Sequence, residues 1–312
     1  MRRLQNIVYV SDGVHDEIDG LKQALSLARN NNAHLKVLVI YPELPSTLTA
    51  YRANLEQALS QQVQASIQSV QTALLAGATP ARVTVVMISN STPATLAIQH
   101  VLRDGHDLLI KAASRHEPDT GFEASDMDLL RKCPCPVWLC RPIACSRNEI
   151  HVAVAIDADS TEPAAQDLAL QLLQVSRSLA DSWSGKLSII SCWDFPYEDY
   201  LTNHPFINIP QEDVQRSVTT AEQEHRAALS ALLQHSGIGG LWQEHNVRGA
   251  PEKRIPECLH ASGVDILVMG TVARTGIPGF IMGNTAENVV QHIDCSLLAM
   301  KPAGFVSPVK AY

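Results

Sequence analysis

This 312-residue chain predicts two tandem α/β domains, each a doubly wound five-stranded parallel sheet with helices on both faces. Three observations carry that expectation. Short apolar runs rich in branched residues alternate with longer stretches whose apolar residues recur every three or four positions. Such alternation is the mark of a parallel sheet covered by crossover helices. The whole pattern also occurs twice. Finally, matching landmarks keep a nearly constant spacing: Asp12 and Asp157 each close a strand, Asp107-Leu-Leu-Ile matches Asp265-Ile-Leu-Val, and Cys135…Pro142 matches Cys295…Pro302. The offsets are 145, 158 and 160 residues, so the repeat is a duplicated domain with short insertions in its second copy and not a solenoid unit.

In the first copy the strands are expected at Ile7–Val10, Leu35–Ile40, Arg82–Ile88, Asp107–Ile110 and Val137–Leu139. They are short and continuously apolar, as fully buried parallel strands should be. A helix follows the first strand, with Ile18, Leu21, Leu25 and Ala28 on one face. A longer one carries Tyr51, Leu55, Leu59, Val63, Ile67, Val70 and Leu74. The second copy repeats the scheme with strands Val152–Ile156, Lys186–Cys192, Leu241–Val247, Ile266–Met269 and Leu297–Met300. Its long helix shows Val214, Val218, Ala221, His225, Leu229 and Leu232. A short polar joint at Ile143–Arg147 places the domains at 1–144 and 145–312, with a tail from about residue 303.

Composition narrows the function. A hydrophobic content of 46% with 18% charged residues is that of a globular protein with sizeable cores. No apolar run reaches the roughly 18 residues of a membrane span, and the N-terminus reads straight into a strand without a signal-peptide pattern, so a cytoplasmic protein is expected. Residues 1–145 hold 13 basic and 13 acidic side chains, so the net charge of −8 belongs to the second part. Neither half is basic, which speaks against nucleic acid as a partner. Of seven cysteines, Cys133, Cys135, Cys140 and Cys145 cluster. Cys135 and Cys140 stand five apart along a strand and face opposite ways. Buried small hydrophobes are therefore expected there, and no metal site.

The stretch Asp265 to Glu287 carries the chemistry. A strand runs into a glycine-rich loop, which opens a helix at Asn284-Thr285. Free N–H groups at a helix start, a favourable dipole and close-approach glycines make an anion site. The loop has neither the G-x-G-x-x-G nor the Gly-Lys-Ser/Thr pattern. A plainer reading of the same residues makes Gly270 and Gly283 turn formers and gives Asn284 or Thr285 a capping role. No G-x-S-x-G elbow and no H-E-x-x-H occurs, so no catalytic residue is assigned and the chain is not expected to be an enzyme. His225 reads as a core residue, His15-Asp16 as an exposed pair, and Trp183 and Trp193 as packing groups.

The loop spacing matches G-x2-G-x9-G-[S/T], with Gly270 and Gly283 on the first and third glycines, Ala273 on the second and Asn284 on the hydroxyl position. Together with Asp128-Leu-Leu-Arg-Lys-Cys-Pro134 and Lys301-Pro302…Ser307-Pro308-Val309, it makes the chain resemble the universal stress protein family, tandem type. The resemblance implies strand order 3-2-1-4-5 and an internal pseudo-dimer of the two copies, with a further homodimer left open. It implies a non-catalytic or weakly catalytic role in the stress response, with ATP or a related nucleotide and its magnesium ion held by the second copy. Asp157 would then contact base or ribose, and Gly270, Gly283, Asn284 and Thr285 the phosphates, with Ala273 and Arg274 beside them. The first copy has lost the pattern: Lys111-Ala-Ala-Ser114 replaces the glycines, and Glu123 and Asp126 would repel phosphate. Lys111 either pairs with Asp12 or is solvated. The alternative is a binding module for a nucleotide-sugar or lipid-like ligand in the cleft between copies, lined by Ile277–Met282.

Overall fold

The computed structural model describes residues 4–15, 18–74, 80–113, 121–203, 209–272 and 282–312. They divide into two compact units. One gathers the described residues of 2–144 with Met282 and 294–312, and the other those of 145–275 with 283–293.

The first unit runs β1 (Asn6–Ser11), α1 (Ile18–Asn31), β2 (His34–Tyr41), α2 (Arg52–Leu74), β3 (Arg82–Ser89), α3 (Pro93–Asp104), β4 (Leu108–Ala112), α4 (Ala124–Lys132) and β5 (Val137–Cys140). These strands are parallel and ordered β3-β2-β1-β4-β5. The winding direction reverses between β1 and β4, where open α/β sheets place their ligands. The second unit runs β6 (His151–Ile156), α5 (Pro163–Trp183), β7 (Lys186–Trp193), α6 (Glu198–Asn203), α7 (Gln211–Ser236), β8 (Gln243–Arg248), α8 (Pro251–Ser262), β9 (Ile266–Gly270) and α9 (Asn284–Gln291). Its strands are ordered β9-β6-β7-β8, again parallel. The last strand, β10 (Ser296–Met300), lies in the first unit. There it pairs antiparallel with β5, Leu298 opposite Trp138, and covers an edge that would otherwise offer unpaired N–H and C=O groups.

The duplication shows in detail. Helices α3 and α8 each span 12 residues, start on a proline and stop at a left-handed glycine, Gly105 at φ 64° and Gly263 at φ 60°. Proline's missing N–H suits the first helical turn, and glycine accepts the αL cap without a Cβ clash. Asp107 accepts hydrogen bonds from the Gln5 and Asn6 amides at 2.6 and 3.2 Å. Asp265 accepts one from the His151 amide at 2.8 Å. Each aspartate thus ties down the start of the first strand of its own copy.

Leu59, Val63, Ile67 and Val70 are the buried stripe of α2. Tyr51, read as the start of that stripe, lies before the helix in a 3₁₀ turn and is 61% exposed. Central strands β1 and β6 are buried apart from Asn6, whereas β3 and β8 are half-exposed instead of fully buried. Each has a strand neighbour on one side, and polar Gln243 and Glu244 sit on β8 where water reaches it. No helix among the described residues is long and apolar enough to cross a membrane.

Candidate functional site

The second unit opens a cavity of about 380 Å³ at the carboxyl end of β6 and β9. These strands are neighbours, with Ala155 opposite Met269, so their next residues, Asp157 and Gly270–Thr271, come to the same rim. Gly283, Asn284, Thr285 and Ala286, the start of α9, complete it. Thus Asp157, Gly270, Gly283, Asn284 and Thr285 are brought together. Ala273 and Arg274 lie outside the described residues, as do Ile277 to Ile281.

Neither loop glycine is a left-handed turn former. Gly283 has φ −64° and ψ 146°, and Gly270 is not among the positive-φ glycines. Gly270 is required by space: a Cβ there would stand 2.8 Å from Leu168 Cδ2, so the missing side chain lets α5 approach β9. The capping reading of Asn284 and Thr285 also fails, because Gly283 is the N-cap and no side chain caps the helix. The first intrahelical donor is the Glu287 amide, bonded to Gly283 O at 2.9 Å. The amides of residues 284 to 286 therefore have no carbonyl within the helix to satisfy them. The Gly283 amide donates to Thr271 O at 2.9 Å, which clamps the two ends of the loop together.

The opposite wall is apolar. Leu168 and Leu172 of α5, Ile255 of α8 and Met269 face the cavity, with Cys192 at the end of β7. Burial pushes the Cys192 thiol up to about 11, the neighbouring Cys258 adding to it. Asp157 is the one charged residue lining the cavity among the described residues. An anion there would rest on backbone N–H groups, the α9 dipole and any cation it brought. Asp157 also accepts a hydrogen bond from the Asp159 amide at 3.2 Å. Asp159 in turn holds His225 Nδ1 at 2.8 Å through both carboxylate oxygens. Buried His225, expected in the core, thus ties α7 to the turn that carries Asp157.

Sequence reading missed Ser160, Leu168, Leu172, Cys192 and Ile255 as lining groups. Ser160 was within reach, three residues past the strand-end aspartate. The others come from elements that only the tertiary fold brings near.

The first unit is built differently at the same place. Lys111 Nζ lies 2.8 Å from Asp126, which is fully buried. The pairing of Lys111 with Asp12 is therefore corrected: α4 carries Asp126 over the end of β4, while Asp12 turns back on its own loop. Asp12 accepts from the Val14 and His15 amides at 2.9 and 3.0 Å and meets the His15 ring. Burial raises the Asp12 pKa, but those bonds outweigh it and hold the carboxyl below its usual range. The space left near Tyr9, Ser11, Gly13 and His15 is only about 30 Å³, against the several hundred that small-molecule sites use.

Two successive domains with this winding, the second with a glycine-rich sequence after its fourth strand, define a class of tandem α/β proteins. The sequence pattern of the Universal stress protein family matches residues 3–141 and 151–301, and the chain belongs to that family. It is 28% identical over 318 aligned positions to "Universal stress protein E" of Escherichia coli K12, covering 99% of this chain and 98% of the relative. The protein of that name from Photorhabdus laumondii is 27% identical, covering 100% and 99%. Among solved structures, a protein of unknown function from Pseudomonas aeruginosa PAO1 superposes with a TM-score of 0.71 at 23% identity, covering 96% and 93% of the two chains. A universal stress protein from Archaeoglobus fulgidus gives 0.62 at 13% identity, covering 95% and 98%. These last two show the fold alone.

Proposed function

We propose that the second unit binds ATP or a related nucleotide with its magnesium ion, and that the protein serves the stress response in the cytoplasm by binding and not by turnover. One observation carries this reading: Asp157 and the uncapped start of α9 share the rim of a cavity whose far wall is apolar. That arrangement suits a ligand with a flat apolar body, hydroxyls for a carboxylate, and an anionic end for helix N–H groups. Asp157 takes the ribose or base, and Gly283, Asn284 and Thr285 take the phosphates. Arg274 is the cation that the loop's own sequence supplies.

Isothermal titration with MgATP tests the proposal, with one site per chain as the expected outcome. Cys192 gives a second readout. Its raised pKa makes alkylation slow, and bound nucleotide should slow it further. Ala273→Gly, which restores the family's second glycine, should tighten binding about fivefold, or about 1 kcal/mol. No heat of binding together with unchanged Cys192 alkylation would overturn the proposal.

A further inference from the structure

Away from the cavity, the first unit holds a pair of thiols. Cys133 and Cys135 flank Pro134 between α4 and β5, with their sulfurs 3.6 Å apart. Cys133 is fully buried and Cys135 is 9% exposed. Lys301, just after β10, is their neighbouring charge. Its Nζ is buried and has no hydrogen-bond partner among the described residues. The Phe305 ring lies 5.0 Å from it. Ser307 Oγ donates to Lys132 O at 2.7 Å, which fastens the lysine's own segment beside Cys133.

A buried ammonium with no oxygen acceptor is costly unless it can lose its proton or find an anion. Burial lowers Lys301 to about 8, and the two thiols act in the opposite sense. Cys133 is held below the usual thiol value, chiefly by its hydrogen bond with Cys135 and also by Lys301. The same 3.6 Å contact, with burial, raises Cys135 well above the usual value, so the thiolate of the pair rests on Cys133. Cysteines elsewhere differ. Burial raises Cys192 and Cys258, and burial with Asp265 raises Cys145.

We propose that Cys133 and Cys135, with Lys301 as their proton store, form a peroxide-reactive dithiol that is oxidised reversibly to an intrachain disulfide. This reading does not depend on nucleotide binding. The reaction begins with one thiol proton on Lys301 and the thiolate on Cys133, the sulfur held below the usual thiol value. That sulfur attacks one oxygen of hydrogen peroxide, the O–O bond breaks, and the leaving hydroxide takes its proton from Lys301 to become water. Cys135 then attacks the sulfenic sulfur, the S–O bond breaks, and a second water leaves with the Cys135 proton. Two sulfurs are oxidised and one peroxide is reduced to two waters. The sulfurs must close from 3.6 Å to about 2.05 Å.

The test uses the full chain, reduced and freed of reductant, then treated with one equivalent of hydrogen peroxide. Acid quenching, alkylation with N-ethylmaleimide and peptide mapping follow. The expected result is a loss of two hydrogens in mass, located as a Cys133–Cys135 bond and reversed by dithiothreitol. Lys301→Met, checked for an unchanged melting curve, should slow the step about tenfold at neutral pH. The proposal falls if Cys133 and Cys135 stay fully alkylatable while Cys192 or Cys258 oxidises. It also falls if the bond joins other cysteines, or if Lys301→Met reacts as fast as the parent. Mapping the parent protein decides the matter even where Lys301→Met fails to fold.

Discussion

At the carboxyl ends of their central strands the first unit is closed by an ion pair and the second is open. The backbones there correspond: Val10 pairs with Lys111 as Ala155 pairs with Met269. In the first unit Lys111 reaches Asp126. In the second, Met269 leaves the end of the strand uncharged and a cavity of about 380 Å³ beside it. The helix–strand contact has also exchanged its small residue. A Cβ on Gly20 of α1 would lie 3.1 Å from Ala112 Cβ, whereas in the second unit the strand supplies Gly270 and the helix Leu168. Close packing is kept in both, so the scaffold survives while the chemistry at its switch point diverges.

The largest way to break this comparison is to remove the first unit's ion pair. Lys111→Met should destabilise the chain by about 3 kcal/mol, because the buried Asp126 carboxylate loses the ammonium 2.8 Å from it. Adding Asp126→Leu should restore most of that loss, read by urea denaturation. Next is the second unit's rim. Gly283→Val places a branched side chain where a phosphate must meet backbone, and MgATP affinity should fall about 100-fold, or about 3 kcal/mol. If titration shows undiminished binding, the cavity is not a phosphate site.

Gly270→Ala gives the second unit the first unit's residue. The new Cβ must push the end of Leu168 aside, and that leucine lines the cavity. Affinity should drop several-fold, while stability changes by about 1 kcal/mol or less because a flexible side chain yields. The smallest effect is shared by both units. Burial, chiefly, holds His151 in the second and His100 and His106 in the first below the usual imidazole value. The unfolded chain therefore binds more protons once pH falls below about 6.5. Stability should be intact above that pH and decline toward pH 5.5 by about 1 kcal/mol or less per histidine. A urea midpoint that rises on acidification would contradict the assignment.

Much of the scaffold is legible in the sequence. The run Val152–Ile156 was enough to locate β6, because five apolar or small residues in a row fit a buried parallel strand and little else. Asp157, Gly270 and Gly283 line one cavity, and the strand order that the family resemblance implies had set the first two at facing strand ends. Other features depend on choices between distant partners. Lys111 could have met Asp12 or Asp126, and only the placement of α4 decides. Ser-Leu-Leu-Ala-Met of β10 suits any apolar edge, so its pairing with β5 is unreadable locally. Leu172 and Ile255 become cavity walls only through the helices that carry them.

That last strand has a consequence for synthesis. β5 leaves the ribosome long before Ser296–Met300, its antiparallel neighbour within the first unit. Until then the nascent first unit carries an open strand edge, a template for pairing with other chains. Closure of that edge therefore waits until Ser296–Met300 has been made, and a fragment stopped at residue 144 would keep the edge for as long as it exists.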